Sequence, residues 1–300
     1  MKVFITGVTG YVGFAVAQQF LSHGYQVSGL VRTQEKAEQL IKLGISPVIG
    51  DLADLILLAE CTHAADGVIH TAISHNSDME KLDVLAVDAM LEGLEGTGKT
   101  FVYTSGTLIY NDTHHDVVDE DSPVKPLPFL QWKAIQEQKV LTAAERNICT
   151  VVIRPALVYG RGGGLVGATI QRTKLTQFAK YVGDGLNAWS TIDVDDLANL
   201  YACAYSFAST GSLFNAASRE LITTKDLMIA IGKIAGVAEI ESCSYEEAVH
   251  VLGPAAWGAS INQRISGLRA EQQLQWSPSA NSIVKEMEKG SYQAMAKIKR

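Results

Sequence analysis

The chain has 300 residues, of which 47% are hydrophobic and 19% are charged, and its formal net charge at pH 7 is −7. A chain of this length and composition can bury a core that needs no disulfide or metal. The negative charge argues against a nucleic acid or a membrane surface as partner, because either would require a basic patch. No apolar run approaches the ~18 residues that a membrane span requires, and no His/Cys cluster has the spacing of a metal site.

Four cysteines lie far apart in the sequence, at Cys61, Cys149, Cys203 and Cys243. None of them forms a C-x-x-C pair, so the pattern predicts reduced, buried thiols rather than a disulfide framework. Reduced thiols are typical of the cytoplasm. We therefore expect a cytoplasmic protein.

Short β-branched segments alternate with helical patterns along the first half of the chain. The predicted strands are Lys2–Thr6, Gln26–Val31, Pro47–Ile49, Gly67–His70, Thr100–Thr104 and Cys149–Ile153. The predicted helices between them are Gly13–His23, Gln34–Lys42, Leu55–His63, Met79–Leu94 and Trp132–Arg146. This alternation predicts βαβ units and a doubly wound parallel sheet, a Rossmann fold, over residues 1–153.

The pattern becomes less regular after Ile153. Helices are predicted near Ala168–Ala179, Val194–Ala208 and Thr224–Gly236, with a last helix from Ser279. We interpret residues 154–300 as a small mixed α/β substrate lobe with segments that return to the Rossmann core. The loop Asn111–Pro128 is expected to cover a cleft, and Trp189 and Trp257 to line the substrate lobe. Such a lining favours a small, rather hydrophobic carbonyl compound.

The stretch Thr6-Gly7-Val8-Thr9-Gly10-Tyr11-Val12-Gly13 follows the first strand and opens the first helix. Glycine is needed where a chain turns tightly, where backbone approaches a pyrophosphate and where a helix packs closely on a strand. The helix N-terminus directs backbone N–H groups at the anion. The spacing G-x-x-G-x-x-G differs from the commoner G-x-G-x-x-G, but its strand-turn-helix context predicts a dinucleotide site.

These residues resemble the T-G-x-x-G-x-x-G turn of extended short-chain dehydrogenases/reductases, which include the NAD-dependent epimerase/dehydratase group. Gly50-Asp51-Leu52, His70-Thr71-Ala72, Thr104-Ser105 and the segment Arg154-Pro155-Ala156-Leu157-Val158-Tyr159-Gly160 resemble further motifs of these enzymes. The resemblance implies cofactor contacts at Gly7, Thr9, Gly10, Tyr11, Val12, Gly13, Asp51, Leu52, Thr71, Ala72, Thr104, Ser105, Lys133, Pro155 and Val158. It also implies a possible homodimer through the helices Met79–Leu94 and Trp132–Arg146.

The end of the second strand bears on the choice of cofactor. Enzymes that prefer NAD usually place an acid there for the ribose 2′-hydroxyl, whereas NADP requires a cation for the 2′-phosphate. This strand ends in Arg32 and Thr33, and Glu35 is the first acid. A guanidinium can bind a phosphate with two hydrogen bonds, and Thr33 can add a hydroxyl. We therefore predict NADP(H), with NAD(H) as the alternative. The alternative for Arg32 itself is a solvent-exposed residue at a strand end that contacts no cofactor.

The family's catalytic motif is incomplete in this chain. In Y-x-x-x-K, the tyrosine and lysine lie one helical turn apart, and the lysine lowers the pKa of the phenol that exchanges the substrate's proton. Lys133 matches the lysine, but Phe129 occupies the tyrosine position. No tyrosine lies between Tyr110 and Tyr159, so a shift in register would not supply one. The resemblance is thus to atypical members of the superfamily.

Three residues are candidates for the missing proton donor: Thr107, His75 and Tyr159. Each also has a non-catalytic alternative: a bond to backbone for Thr107, a surface-loop position for His75, and packing against the cofactor for Tyr159. The leading hypothesis is an oxidoreductase that moves hydride to or from a small carbonyl or alcohol, with Lys133 on the nicotinamide ribose. A catalytically impaired dinucleotide sensor and an epimerase with tightly bound cofactor are the alternatives.

Overall fold

The computed structural model describes residues 1–73 and 78–296. Its strands are β1 (Lys2–Thr6), β2 (Gln26–Val31), β3 (Ser46–Ile49), β4 (Gly67–His70), β5 (Thr100–Thr104), β6 (Cys149–Pro155), β7 (Leu157–Tyr159), β8 (Lys180–Val182), β9 (Ala188–Asp193), β10 (Ser212–Ala216), β11 (Leu221–Thr223) and β12 (Glu241–Cys243). The strands of the first half lie within a residue or two of their predicted positions.

The helices alternate with these strands in the first half and predominate in the second. They are α1 (Tyr11–Ser22), α2 (Gln34–Lys42), α3 (Leu55–Ala64), α4 (Met79–Leu94), α5 (Gln131–Thr142), α6 (Gly164–Thr176), α7 (Val194–Phe207), α8 (Thr224–Ala235), α9 (Tyr245–Leu252), α10 (Ala255–Ser260), α11 (Leu268–Leu274), α12 (Ile283–Lys289) and α13 (Gln293–Ala296). Within the described ranges, no helix is long and apolar enough to cross a membrane.

Seven strands form one sheet in the order β10-β6-β5-β4-β1-β2-β3, and every neighbouring pair is parallel. This confirms the predicted doubly wound α/β fold. The strand order reverses between β1 and β4, which is the switch point where ligands bind such sheets, at the carboxyl ends of the strands. The glycine turn after β1 and the segment after β4 both lie there.

Helices cover both faces of the sheet, so the central strands are buried on each side. One apolar cluster joins β1 to α1, α2 and α7, and includes Val16, Phe20 and Tyr201. The other joins the opposite face to α3, α4 and α5, and includes Leu58 and Met90. Burial on both faces explains why these strands read as nearly continuous apolar runs.

The second half of the chain forms two small sheets, in the orders β11-β9-β7 and β12-β8. Strand β10 leaves this lobe and pairs with β6 in the main sheet, for example Phe214 opposite Ile153. Helix α7 also belongs to the core of the first half. The division of the chain at residue 153 into two domains stays a prediction.

Three helix boundaries differ by four residues from those predicted. Helix α6 begins at Gly164 rather than Ala168, because the buried residues Val166, Ile170 and Thr173 continue its periodic face toward the glycines. The helix predicted over Trp132–Arg146 ends at Thr142, and a 3-10 turn completes it. The C-terminal helix predicted from Ser279 begins at Ile283, as α12. Its N-cap is Ser282, whose hydroxyl accepts a hydrogen bond from the Lys285 N–H.

Candidate functional site

The glycine turn after β1 has no room for side chains. Gly7 has a φ of +75°, and a Cβ there would lie 2.6 Å from the backbone nitrogen of Ala72. A Cβ on Gly13 would lie 2.2 Å from the carbonyl oxygen of Gly7 and 2.4 Å from Thr71 Oγ1. The N–H of Gly10 donates to the Gly7 carbonyl at 2.8 Å and closes the turn. The turn therefore requires glycine at these positions for steric reasons.

Helix α1 begins at this turn without a side-chain cap, since its N-cap residue is Gly10. The N–H groups in the first turn of a helix have no partner within the helix. They bear partial positive charge and favour an anion. Turn and helix end together fit a pyrophosphate, and Tyr11 and Val12 extend the same surface into the adjoining cleft. Thr9 is exposed at its edge.

The residues predicted to contact the adenosine half follow β2, β3 and β4. Arg32 is exposed, and its guanidinium makes no hydrogen bond or ion pair within residues 1–73 and 78–296. The Thr33 hydroxyl caps α2 by accepting from Lys36 N–H at 3.3 Å. Asp51 Oδ1 accepts from Ala53 N–H at 3.1 Å, and Leu52 packs against the core. Among these four residues, Arg32 is thus the one whose polar side-chain atoms make no hydrogen bond in the described ranges.

Thr71 and Thr104 hold the ends of two strands in place. Thr71 Oγ1 donates to the Thr6 carbonyl at 2.8 Å, beside Gly13, and Ala72 lies against Gly7. Thr104 Oγ1 lies 2.6 Å from the hydroxyl of Tyr201 on α7. Both hydroxyls are therefore bound to the protein itself, and the roles of these residues as cofactor contacts stay predictions.

Lys133 is buried in α5 at the edge of the cleft. Its Nζ lies 3.6 Å from Asp83 Oδ1 and 4.5 Å from the centre of the Tyr103 ring. Burial lowers the pKa of Lys133, and the charges of Asp83 and Glu137 counteract that effect in part. The ammonium group is therefore fixed in position and is a stronger acid than a solvated lysine.

Asp83 is the centre of a buried polar network that the sequence did not reveal. Its carboxylate accepts a hydrogen bond from the Tyr103 hydroxyl at 2.8 Å and lies 3.2 Å from His70 Nε2. The Thr6 hydroxyl is 2.7 Å from His70 Nδ1. Burial opposes ionisation, but the hydrogen bond with His70 and the charge of Lys133 hold the pKa of Asp83 below its usual value. No sequence spacing connects these positions, which resemble ordinary core positions.

Phe129 lies at the mouth of the cleft, one helical turn before Lys133. Its ring is 51% exposed and packs edge-on against Trp257, with 5.8 Å between the ring centres. Phe129 has the sequence position of the family's tyrosine, four residues before Lys133, and its side chain presents only carbon atoms to the cleft. Trp257 in turn donates from Nε1 to Asn111 Oδ1 at 3.2 Å, so the loop after β5 also supports this wall.

Two hydroxyls line the cleft just after β5. The Ser105 hydroxyl is buried and has no hydrogen-bond partner in the described part of the chain. Thr107 is 4% exposed at the start of a 3-10 turn, and its hydroxyl likewise makes no hydrogen bond within the described ranges. A buried hydroxyl without a partner costs free energy, so Ser105 suits a polar atom of a bound molecule, and the Thr107 hydroxyl is free to bind one as well.

The other two predicted proton donors are Tyr159 and His75. The Tyr159 hydroxyl donates to the Asn281 carbonyl at 2.6 Å, and its ring belongs to the apolar core of the second lobe. Tyr159 is not among the residues that line the cleft. His75 lies outside the described residues, and its role stays a prediction.

The end of β6 and strand β7 form part of the cleft wall, where Pro155 and Val158 line it. Arg154 points the other way, into the core, where its Nε lies 3.0 Å from Glu137 Oε1 and its Nη1 donates to the Tyr110 hydroxyl at 2.6 Å. The Tyr11 hydroxyl donates to the Gly160 carbonyl at 2.8 Å and ties this segment to the glycine turn.

The cleft itself has a volume of about 800 Å³ and extends from Tyr11 and Val12 into the second lobe. Ser105, Thr107 and Lys133 are its polar groups near the sheet, and Trp189, Met228 and Trp257 are among its apolar walls. A concave, mostly apolar site with a few polar groups is typical of a small-molecule site. Within the described ranges, no group of three potential metal-ligating side chains comes together.

Comparison with known proteins identifies the class to which this fold and site belong. The model of the NAD dependent epimerase/dehydratase family matches residues 3–217, and the chain belongs to that family. This confirms the resemblance inferred from the motifs and supports a nicotinamide dinucleotide as cofactor.

Three individual proteins illustrate the relationship. The "Uncharacterized protein C2A9.02" of Schizosaccharomyces pombe is 30% identical over 97% of this chain and 100% of its own length. The 2-alkyl-3-oxoalkanoate reductase of Stenotrophomonas maltophilia is 27% identical over 71% of this chain and 67% of its own length. The UDP-glucose 4-epimerase of Thermotoga maritima, solved with UDP-glucose, has a TM-score of 0.80 at 18% identity over 99% of this chain and 97% of its own, which shows a shared fold alone.

Proposed function

We propose that this protein is an NADP(H)-dependent oxidoreductase that transfers hydride between the nicotinamide and a small, largely apolar carbonyl or alcohol. The observation that carries the proposal is the pair of hydroxyls of Ser105 and Thr107, which lie with Lys133 in a cleft that begins at the glycine turn. The Ser105 hydroxyl is buried without a partner, and the Thr107 hydroxyl makes no hydrogen bond in the described part of the chain. The relative named 2-alkyl-3-oxoalkanoate reductase supports reduction of a carbonyl on an alkyl-bearing substrate.

The cofactor would be held by the glycine turn and the first turn of α1 at its pyrophosphate, by Arg32 at its 2′-phosphate and by Lys133 at its nicotinamide ribose. When bound, it supplies or accepts the hydride. Ser105 and Thr107 would donate hydrogen bonds to the substrate oxygen as negative charge develops on it, which is the commonest way in which an active site stabilises such a transition state.

The proton that the substrate oxygen needs has to come from a group other than a phenol at position 129. Thr107 Oγ1 would pass its proton to that oxygen and regain one from the Lys133 ammonium group, which would in turn be reprotonated from solvent. Burial lowers the pKa of Lys133, which favours proton release. Asp83 holds the Lys133 side chain in position.

Removal of the Thr107 hydroxyl tests this assignment. We expect Thr107→Val to lower kcat for NADPH-dependent carbonyl reduction by about 100-fold, because positioned acid–base groups typically contribute ~10²–10⁴-fold. The Kd for NADPH should not change. Rates would be measured by NADPH oxidation with a panel of aliphatic and aromatic ketones and aldehydes. Thr169→Val is the matched control, since that cleft-lining hydroxyl already donates to the Leu165 carbonyl at 2.8 Å.

Two results would contradict the proposal. If Thr107→Val and Thr169→Val behave alike, Thr107 is not the donor. If the wild-type protein binds NADPH but oxidises it with no member of the panel, while Phe129→Tyr does so, the chain is a dinucleotide-binding protein that lost its activity with the phenol. Oxidised cofactor retained through purification would instead indicate an epimerase.

The preference for NADP(H) depends on Arg32. We expect Arg32→Gln to weaken NADPH binding by about 10- to 100-fold, which is the value of one or two charge-assisted hydrogen bonds. NADH binding should change little, because NADH lacks the 2′-phosphate. Calorimetry with both nucleotides measures the difference, and Lys36→Gln is the control for loss of a neighbouring positive charge. Equal weakening of both nucleotides would exclude Arg32 as the phosphate ligand.

A further inference from the structure

The charged side chains that line the cleft in the described part of the chain are all positive. The chain has 32 acidic and 25 basic residues, yet the described residues that line the cleft include three cations and no carboxylate. The cations are Lys133, Arg172 and Lys180. A cation in this lining that has no carboxylate beside it would favour an anionic ligand.

The three cations differ in whether a carboxylate lies beside them. Lys133 is held by Asp83, as described above. Lys180 Nζ lies 3.5 Å from Glu241 Oε2 and 5.2 Å from the centre of the Phe178 ring. The Arg172 guanidinium makes no hydrogen bond or ion pair to any residue in 1–73 or 78–296. Arg172 is therefore the cation at this cleft whose charge is still available.

Helix α6 sets the distance between Arg172 and the reacting end of the cleft. Gly164 lies against the Tyr11 ring beside the glycine turn. Leu165, Thr169 and Arg172 line the cleft at helical spacing along the same face. With a rise of 1.5 Å per residue, Arg172 lies about 12 Å along the helix from Gly164. After α6 the chain turns at Gln177, which has a φ of 54°, and returns to the cleft at Phe178 and Lys180.

The walls between these two ends are apolar. Leu165 lines the cleft from α6, Leu227, Met228 and Ile231 line it from α8, and Trp189 lines it from β9. Hydroxyl-rich molecules would leave polar groups without partners on such walls, at a substantial cost in free energy. The site therefore suits a substrate whose reacting oxygen and anionic group are separated by hydrocarbon.

We infer that the substrate of the proposed reductase is an amphipathic acid, with a carboxylate bound by Arg172 and supported by Lys180. Its reducible carbonyl lies at Ser105 and Thr107, and an apolar portion on the order of 10 Å long separates the two groups. A guanidinium presents two parallel donors that match the two oxygens of a carboxylate. This inference rests on the proposed function, because it assigns the substrate of the same site.

The test uses 9-oxodecanoic acid and its methyl ester, in which the remote group is charged and neutral, respectively. Calorimetric titration of NADPH-loaded protein should show that the acid binds about tenfold more tightly than the ester, a typical value for a partly exposed charge-assisted hydrogen bond. Arg172→Gln should remove this preference, Arg172→Lys should retain part of it, and Lys42→Gln, which removes a charge elsewhere on the surface, should leave it unchanged.

Binding and turnover separate the two ideas. Equal binding of acid and ester by the wild-type protein, or an unchanged preference in Arg172→Gln, would overturn the carboxylate site even if both ketones are reduced. Tight binding of the acid without any NADPH oxidation would retain the carboxylate site and contradict the reductase. Preferential binding of decyl phosphate over decanoate would show that the anionic group is a phosphate, and would overturn the assignment of a carboxylate.

Discussion

Gly13→Ala is expected to weaken NADPH binding by about 100-fold or more, the largest effect on ligand binding that we predict. The new methyl group would lie 2.2 Å from the Gly7 carbonyl oxygen and 2.4 Å from Thr71 Oγ1. Because the first contact is with backbone, the turn itself has to move. Two or more N–H groups would then lose their hydrogen bonds to the pyrophosphate, each worth ~1.5–3 kcal/mol.

Calorimetry with NADPH measures this effect, and circular dichroism and thermal unfolding establish whether the variant is folded. Gly258→Ala is the control, because a Cβ at that position in α10 meets nothing within 4 Å. Its Kd should stay within about twofold of the wild-type value. A folded Gly13→Ala protein that binds NADPH normally would show that the glycine turn does not hold the dinucleotide.

Glu137→Gln should lower the free energy of unfolding by about 3–5 kcal/mol, the largest effect on stability. Arg154 and Glu137 are both almost fully buried, and the guanidinium contacts both carboxylate oxygens, at 3.0 and 3.1 Å from Nε. Neutralising one partner leaves the charge of Arg154 buried without its counter-ion. Hydrogen bonding to Tyr110 cannot replace that charge.

Denaturation by urea provides the measurement, and a second ion pair on the same helix provides the control. Lys139 of α5 binds Asp88 of α4 at 2.7 Å, but both side chains are partly exposed. Asp88→Asn should therefore cost at most about 1 kcal/mol. The double variant Glu137→Leu/Arg154→Met should recover much of the lost stability, because no unpaired charge remains. Equal losses in Glu137→Gln and Asp88→Asn would contradict this account.

The local patterns of the sequence predicted most of the first half of the fold. Strand β2 was predicted at Gln26–Val31 and helix α4 at Met79–Leu94, with the bounds that the structure gives. Periodicity in apolar residues reports which face of an element is buried, and it depends only on neighbours in the chain. The second half was harder because its lobe is assembled from short segments, and the glycines before Val166 concealed the start of α6.

Two other features can be predicted from the sequence alone: glycines that the backbone of a turn requires, and the absence of the catalytic tyrosine. Gly7 and Gly13 were recognised because their requirement for glycine is a property of the turn they form. The missing phenol at Phe129 is a fact about composition, since no tyrosine lies between Tyr110 and Tyr159. Neither prediction depends on which residues from elsewhere in the chain pack against these positions.

The tertiary structure decided which side chains share an environment. It bound the Tyr159 hydroxyl to Asn281, left those of Ser105 and Thr107 without a partner in the described ranges, and placed Lys133 against Asp83. It also placed three cations, and no carboxylate, among the described residues that line the apolar cleft. These relations join residues that are tens of positions apart, and they exist only once helices pack on the sheet. Spacing along the chain determines the elements, whereas pKa values and free hydrogen-bonding groups depend on three-dimensional contacts.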